Sequence, residues 1–260
     1  MDLSINGKVF LVSGGAAGIG AAIINSLHKE NGIPVILDKS DVENCDESLR
    51  AGIEQQKIIY QQVDLCDEDA LSEAITSVET SCGRIDGVVN NAGINDSVGL
   101  DRPSADFENS LRRNLVQCFS LVRLALPSLK KSEGAIVNIG SKVCVTGQGG
   151  TSGYAAAKGG LAALTREWAL DLAKDSIRCN AVIPAEVWTQ MYADWLSSRE
   201  DPESAKKEIE SRIPLQQRFT TPEEIAEMCV FLLSGKSSHT TGQIIHVDGG
   251  YTHLDRAYRG

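Results

Sequence analysis

Lys8 to Ser13, KVFLVS, is a short run of β-favouring apolar residues that leads directly into the glycine-rich string GGAAGIG. Ile19, Ile23 and Leu27 then recur at four-residue steps, the period of a helix that buries one face. Strand, glycine turn and helix in that order bring backbone N–H groups and the positive end of a helix dipole to one point, where a pyrophosphate can bind. Gly14, Gly18 and Gly20 make the pattern G-x-x-x-G-x-G. The same glycines also suit a turn that binds nothing, so the next elements decide between the two readings.

A second apolar strand, IPVILD, ends in Asp38, eighteen residues after Gly20. An acidic side chain there accepts hydrogen bonds from the hydroxyls of an adenosine ribose and repels a 2′-phosphate. One like-charge contact near ~4 Å is worth up to about 4 kcal/mol at an effective dielectric of ~20, so NAD is expected over NADP. Lys39 offsets part of that repulsion, which leaves NADP as a second expected cofactor.

The third strand, KIIYQQVDL, is expected to end at Asp64 and Leu65, followed by a helix over 67–81. IDGVVNNAG reads as a fourth strand running into Asn91, Ala92 and Gly93, small residues that let backbone approach a flat ligand face. A long helix is expected over 103–129 with Asn114 inside it, where an amide can hydrogen-bond locally and distort the helix. AIVNIGS is a fifth strand that delivers Ser141, and a helix over 152–174 carries Leu161, Leu164, Trp168 and Leu172 as a packing stripe. IRCNAVIP is the sixth strand, AEVWTQM opens an irregular polar stretch to about Ser211, 222–233 is helical, and QIIHVDGG is the seventh strand. Strands alternating with helices predict an α/β fold, one doubly wound parallel sheet of seven strands in a single domain over 1–260.

Tyr154 and Lys158 lie four residues apart in the expected sixth-strand-preceding helix, and so on one face of it. A phenol is a poor base near neutrality unless a cation stabilises its phenolate, and Lys158 together with the positive ring of a bound nicotinamide would do so. Ser141 lies thirteen residues before the tyrosine. Alone, Tyr and Lys at this spacing more often mean a packed ring beside a solvated ammonium.

The chain has 35 acidic and 25 basic residues, a net charge of −10, which argues against nucleic acid or an anionic membrane as partner. Seven scattered cysteines without C-x-x-C and four histidines without H-x-x-x-H point to reduced thiols and no metal site. MDLSINGKV has no charged-then-apolar leader, and no apolar run approaches the roughly 18 residues of a membrane span, so a cytoplasmic location is expected.

In order and spacing, S-G-G-A-A-G-I-G, Asp38, Asp64, N-N-A-G, Asn114, Ser141, Tyr154 with Lys158, and the P-x-x-x-x-T of Pro184 to Thr189 resemble the short-chain dehydrogenase/reductases over essentially the whole chain. The resemblance implies Tyr154 as general acid/base, Ser141 orienting the substrate oxygen, Lys158 on the nicotinamide ribose, and Asn114 holding a proton-relay water. It implies a cofactor wall made by Gly14, Gly18, Ile19, Gly20, Asp38, Asp64, Leu65, Asn91, Ala92, Gly93, Tyr154, Lys158, Pro184, Val187 and Thr189, the last against the carboxamide. Three positions depart from the family pattern: Ser13 replaces a threonine, Gly140 precedes Ser141 where a serine is usual, and Ala185 replaces a glycine.

Strings in the substrate half, among them T-G-Q-G-G-T-S-G-Y, V-I-P-A-E-V-W-T and V-D-G-G-Y-T-H-L-D-R-A, are similar to bacterial L-fucose dehydrogenases. That similarity implies oxidation of the anomeric hydroxyl of L-fucose, L-galactose or D-arabinose to the lactone. Asn95, Asp96, Lys142, Gln148, Thr151, Glu186, Trp188 and Trp195 form a hydrogen-bonding and aromatic set suited to a polyol, with Asn95, Lys142, Gln148, Glu186 and Trp188 the substrate candidates beside Ser141 and Tyr154. A carbonyl or 3-oxoacyl reductase, and a cofactor-binding regulator without turnover, are the alternatives. The resemblance also implies a homodimer or homotetramer, with the tail to Gly260 and its Arg256 at a subunit interface.

Overall fold

The protein, described here from a computed structural model, is placed over residues 2–253, so the expectation for Arg256 lies outside the described residues. Seven parallel strands, β1 (Val9–Ser13), β2 (Ile33–Asp38), β3 (Ile59–Gln62), β4 (Gly87–Asn90), β5 (Ala135–Ile139), β6 (Arg178–Pro184) and β7 (Ile244–Val247), form one sheet. Their order is β3-β2-β1-β4-β5-β6-β7. The chain winds outward in one direction from β1 and returns to wind in the other from β4. Between those two strands the connections leave on opposite faces and a crevice opens at the carboxyl ends, the place where sheets of this kind bind ligands.

Alternation along β1 shows how the sheet fills both of its faces. Phe10 and Val12 pack with Ile23 and Leu27 of α1 (Gly18–Lys29) and with Ile225 and Cys229 of α9 (Pro222–Leu233). Val9 and Leu11 point the other way, into a cluster with Leu71 and Ile75 of α3 (Glu68–Cys82), Leu121 of α5 (Gln117–Ser132) and Trp168 of α6 (Ser152–Asp171). A strand buried on both sides needs no polar alternate, which is why the strand sequences read as unbroken apolar runs. Among the described residues no helix is long and apolar enough to cross a membrane.

Four local features differ from the sequence reading. A helix, α2 (Glu47–Glu54), capped by the Asp46 carboxylate on Ser48 N–H, fills the β2–β3 connection. The helix expected over 103–129 is α4 (Ser104–Leu111), then a π-helical turn over Arg112–Val116, then α5, so the distortion anticipated at Asn114 is present. The helix expected to reach 174 ends at Asp171, and a short 3-10 turn follows. The stretch expected to be irregular up to Ser211 contains α7 (Gln190–Ser197) and α8 (Pro202–Glu210). Thr189 caps α7, and Asp201 caps α8 with Pro202 in its first turn; these start signals outweigh the polar composition.

α9 begins with a capping box in which Thr221 and Glu224 satisfy each other's backbone N–H groups. Arg218 grips the same carboxylate at 2.6 and 2.9 Å and, with the Thr221 N–H, holds its pKa down to about 2. A depressed carboxylate stabilises the fold above its unfolded value and loses that contribution as pH falls through the folded value. Glu224→Gln is therefore expected to destabilise the protein at neutral pH by about 1 kcal/mol, the scale of a cap. Urea melts should show the gap between the two proteins closing as pH drops from 4.5 toward 2.

Candidate active site

A cavity of about 540 Å³ lies over the carboxyl ends of the central strands. Its floor is the glycine turn. Gly14 has φ +63, and a Cβ there would sit 2.9 Å from the Ala92 Cα; a Cβ on Gly20 would sit 2.0 Å from the Gly14 carbonyl oxygen. The turn is tied across to β4 by Ser13 and Asn91. Ser13 Oγ accepts the N–H groups of Asn91 and Ala92 at 3.0 and 3.1 Å and donates to Val89 O at 3.3 Å. Asn91 Nδ2 donates back to the carbonyls of Ser13 and Gly14 at 3.1 and 2.9 Å. A serine hydroxyl at position 13 thus makes this tie without the methyl of a threonine.

Gly14, Gly18 and Ile19 line the cavity, with Ala17 as the backbone N-cap of α1 and no acidic residue in that helix's first turn. A turn with glycine at 14 and 18 and free backbone N–H groups at a helix N-terminus fits a pyrophosphate. Gly20 does not line the cavity; its lack of a side chain lets α1 close on Gly14 O and Asn91 Nδ2.

At one end of the cavity stand Asp38, Lys39, Asp64, Leu65 and Cys66. Asp38 is the last residue of β2, and its carboxylate accepts from Ala16 N–H at 3.3 Å and Ser40 N–H at 3.0 Å. β3 stops at Gln62, so Asp64 belongs to the turn beyond it, where its carboxylate accepts from Cys66 N–H at 2.9 Å.

At the other end stand Ser141, Tyr154 and Lys158, with Ala92 and Gly93 between the two ends. Lys158 is 3% exposed, and its ammonium donates to Ile139 O at 2.8 Å and lies 5.7 Å from the centre of the Tyr154 ring. Ser141 caps the short turn Lys142–Cys144, its Oγ accepting from Val143 N–H at 3.5 Å, which leaves the hydroxyl proton free to donate elsewhere. Gly140 has Ile183 against it, a Cβ there falling 2.2 Å from Ile183 Cδ1, so a larger residue before Ser141 would need β6 repacked. Asn114 is fully buried in the π-helical turn, accepts from Ile94 N–H at 2.7 Å, donates to Ser110 O at 3.0 Å, and does not line the cavity.

Pro184, the last residue of β6, and Ala185, Val187 and Thr189 beyond it line the next stretch of wall. Thr189 is the N-cap of α7 and its methyl approaches the phosphate turn, 3.5 Å from where a Gly18 Cβ would lie. The substrate candidates divide. Lys142 and Glu186 form a largely buried ion pair with each other, and the Lys142 ammonium also sits 4.3 Å from the centre of the Tyr251 ring. Asn95 and Gln148 are exposed, with Asn95 Oδ1 accepting from Ser97 N–H. Asp96 accepts from Ser110 Oγ, Thr151 is buried, and Trp188 packs edge-on against Phe219 beneath the Lys206 ammonium. None of these lines the cavity.

Tyr192, Met191 and Gln190 do line it, and sequence reasoning passed over them because it read their segment as irregular. The signal was there: Thr189 as a cap makes 190–192 the first turn of a helix. The Tyr192 hydroxyl donates to Glu186 Oε2 at 2.8 Å, and its ring is held edge-on by Trp195 and Phe219. Burial and the neighbouring Glu186 carboxylate push the Tyr192 phenol far above its usual pKa. Among the described residues no group of three His, Cys, Asp or Glu side chains is placed to hold a metal.

Gly20→Ala is expected to force α1 off the turn. Isothermal titration should show NAD(H) affinity reduced by about 100-fold or more, while the sheet's circular dichroism signature persists.

A family profile described as enoyl-(acyl carrier protein) reductase matches residues 14–252. The chain is 37% identical over 252 residues to a 3-oxoacyl-[acyl-carrier-protein] reductase of Thermotoga maritima, covering 95% of this chain and 99% of that protein. It is 33% identical over 249 residues to the L-fucose dehydrogenase of Rattus norvegicus, covering 94% and 89%. That relative is mammalian, whereas the strings in the substrate half pointed to bacterial enzymes. The crystal structure of Cj0485 dehydrogenase superposes with a TM-score of 0.96 at 41% identity, covering 100% of both chains. The chain belongs to the short-chain dehydrogenase/reductase superfamily, oxidoreductases that use NAD(P) and act on CH–OH groups of small molecules.

Proposed function

We propose that this protein oxidises the anomeric hydroxyl of L-fucose or an aldose of like ring stereochemistry to the lactone, with NAD preferred over NADP. The observation that carries the sugar reading is the polar network of Lys142, Glu186 and Tyr192, which starts one residue after Ser141 and reaches the cavity through Tyr192. Its opposite charges cancel, so it favours a neutral, hydroxylated ligand over an anionic one, and a 33% identical relative is an L-fucose dehydrogenase. The NAD preference rests on Asp38, which lines the other end of the cavity beside Lys39 and whose carboxylate would repel a 2′-phosphate.

In this reading a bound nicotinamide supplies the hydride acceptor. Tyr154 removes the proton of the sugar C1 hydroxyl as its C–H bond breaks, and Ser141 donates its free hydroxyl proton to the oxygen on which charge develops. Lys158, pinned by Ile139 O, holds its side-chain nitrogen beside the Tyr154 ring. Asn114 fixes the turn at Ile94 and holds the π-helical geometry. Gly14, Gly18, Ile19, Asn91, Ala92, Gly93, Pro184, Val187 and Thr189 shape the cofactor wall, and Asp64 and Leu65 meet the adenine side.

A second reading, reduction of a 3-oxoacyl thioester, is favoured by the 37% identity to the Thermotoga reductase and by the matched profile. One set of initial rates separates them: NAD and NADP with L-fucose, L-galactose, D-arabinose and D-glucose, and NADH and NADPH with a 3-oxoacyl thioester. Turnover confined to the L-fucose-like sugars and faster with NAD is expected; turnover of the thioester alone would replace the sugar reading. In either direction Tyr154→Phe should lower turnover by about 1,000-fold or more while NAD(H) affinity stays within about twofold.

Self-association in the cytoplasm completes the proposal. Val116 and Phe119 on the outer side of the π-turn and α5, and Leu170 on α6, are exposed apolar side chains on neighbouring elements, an arrangement that suits a homodimer or homotetramer. Light scattering should return two or four times the chain mass, and Phe119→Glu should lower it.

A further inference from the structure

Tyr192 is the one member of the Lys142–Glu186–Tyr192 network whose side chain both belongs to the network and lines the cavity. Four contacts fix it. Its ring stands edge-on to Trp195, with centroids 5.3 Å apart, and to Phe219 at 5.0 Å. Its backbone N–H donates to the Thr189 cap at 3.3 Å. Its hydroxyl proton is committed to Glu186 Oε2 at 2.8 Å, and the Lys142 ammonium holds that carboxylate from the other side. Because burial and the Glu186 carboxylate keep the phenol protonated, the oxygen remains a neutral acceptor across the working pH range.

A phenol oxygen that has given its proton away can still accept a hydrogen bond from another donor. We propose that the Tyr192 oxygen is a specificity-determining acceptor, taking a hydrogen bond from one ring hydroxyl of the substrate other than the hydroxyl that is oxidised. This rests on the aldose reading above and deepens it. The donor it selects is a neutral O–H. A carbonyl or ether oxygen at the same place would face the Tyr192 lone pairs with no proton to share, and an anionic oxygen would also meet the Glu186 carboxylate behind them. Thr189 and Tyr192 stand in one turn of α7, so the helix whose cap methyl faces Gly18 of the glycine turn also carries this acceptor.

The test is a cycle between one protein atom and one substrate atom. Wild type and Tyr192→Phe are assayed with the preferred aldose and with its monodeoxy analogues, and sugar binding to the NADH complex is followed by the fluorescence of the neighbouring Trp195 and Trp188. Wild type should lose about 10-fold or more in kcat/KM when one particular hydroxyl is deleted, and Tyr192→Phe should lose a similar factor with the full sugar but little more with that same deoxy analogue. The loss should fall mainly on KM and on sugar affinity, and NADH affinity should stay within about twofold, which also reports that the variant is folded. A network that is purely structural would penalise every analogue equally in the variant. That result, with wild type turning over aldoses normally, would overturn the assignment alone. A wild-type enzyme inert toward every aldose would overturn the aldose reading and this assignment with it.

Discussion

The tie between Ser13 and Asn91 is the contact on which the site depends. Two strands that end side by side but belong to opposite windings of the sheet must be held at a fixed separation, or the crevice between them has no defined width. One hydroxyl accepting two N–H groups and one carboxamide donating to two carbonyls satisfy four backbone groups that the close of the sheet leaves without ladder partners. The glycines follow from this. With β1 and β4 fixed so closely, no Cβ fits at Gly14 against Ala92 or at Gly20 against Gly14. A loop built for close approach and a site shaped for a pyrophosphate are thus one structure.

A second buried polar chain supports the tyrosine end. Asn90 Nδ2 donates to Asn138 Oδ1 at 2.8 Å, and Asn138 Nδ2 donates to Thr165 Oγ1 at 2.9 Å. β4, β5 and α6 are joined through it in sequence. Two asparagines inside an apolar sheet cost stability unless their amides are paired; here both amide nitrogens and the Asn138 oxygen are paired while Asn90 Oδ1 has no partner, and the linked chain resists the sliding of strand on helix. α6 is therefore indexed against the strands that carry the turn at Ala92 and the segment reaching Ser141.

Much of this was legible in the chain. β1 with its glycine turn, Asp38 at the end of β2, and Tyr154 with Lys158 are local signals: each is written in a few consecutive residues, and the helix period alone puts the last two on one face. The seven-stranded parallel sheet followed from alternation because doubly buried strands read as apolar runs. What the sequence obscured was pairing at a distance. Lys142 and Glu186 looked like separate ligands for a substrate, and it is the folding of the 142–144 turn against the β6–α7 connection that makes them partners of each other. Gln148 is exposed and Trp188 is turned onto Phe219, positions no spacing rule gives. The 186–211 segment misled because its composition is polar, while its caps, Thr189 and Asp201, are single residues whose effect appears only once their side chains meet the N–H groups ahead of them.

α7 has a further consequence. Its cap residue faces the glycine turn across the space a Gly18 Cβ would fill, and its third residue lines the same cavity, so one helix borders both parts of the crevice. For an enzyme that seats a dinucleotide and a second ligand along such a helix, linkage would make any coupling mutual: what the first adds to affinity for the second, the second adds to affinity for the first. A helix of two turns, capped by Thr189 and tied to Glu186 through Tyr192, thus places both contacts on one short element.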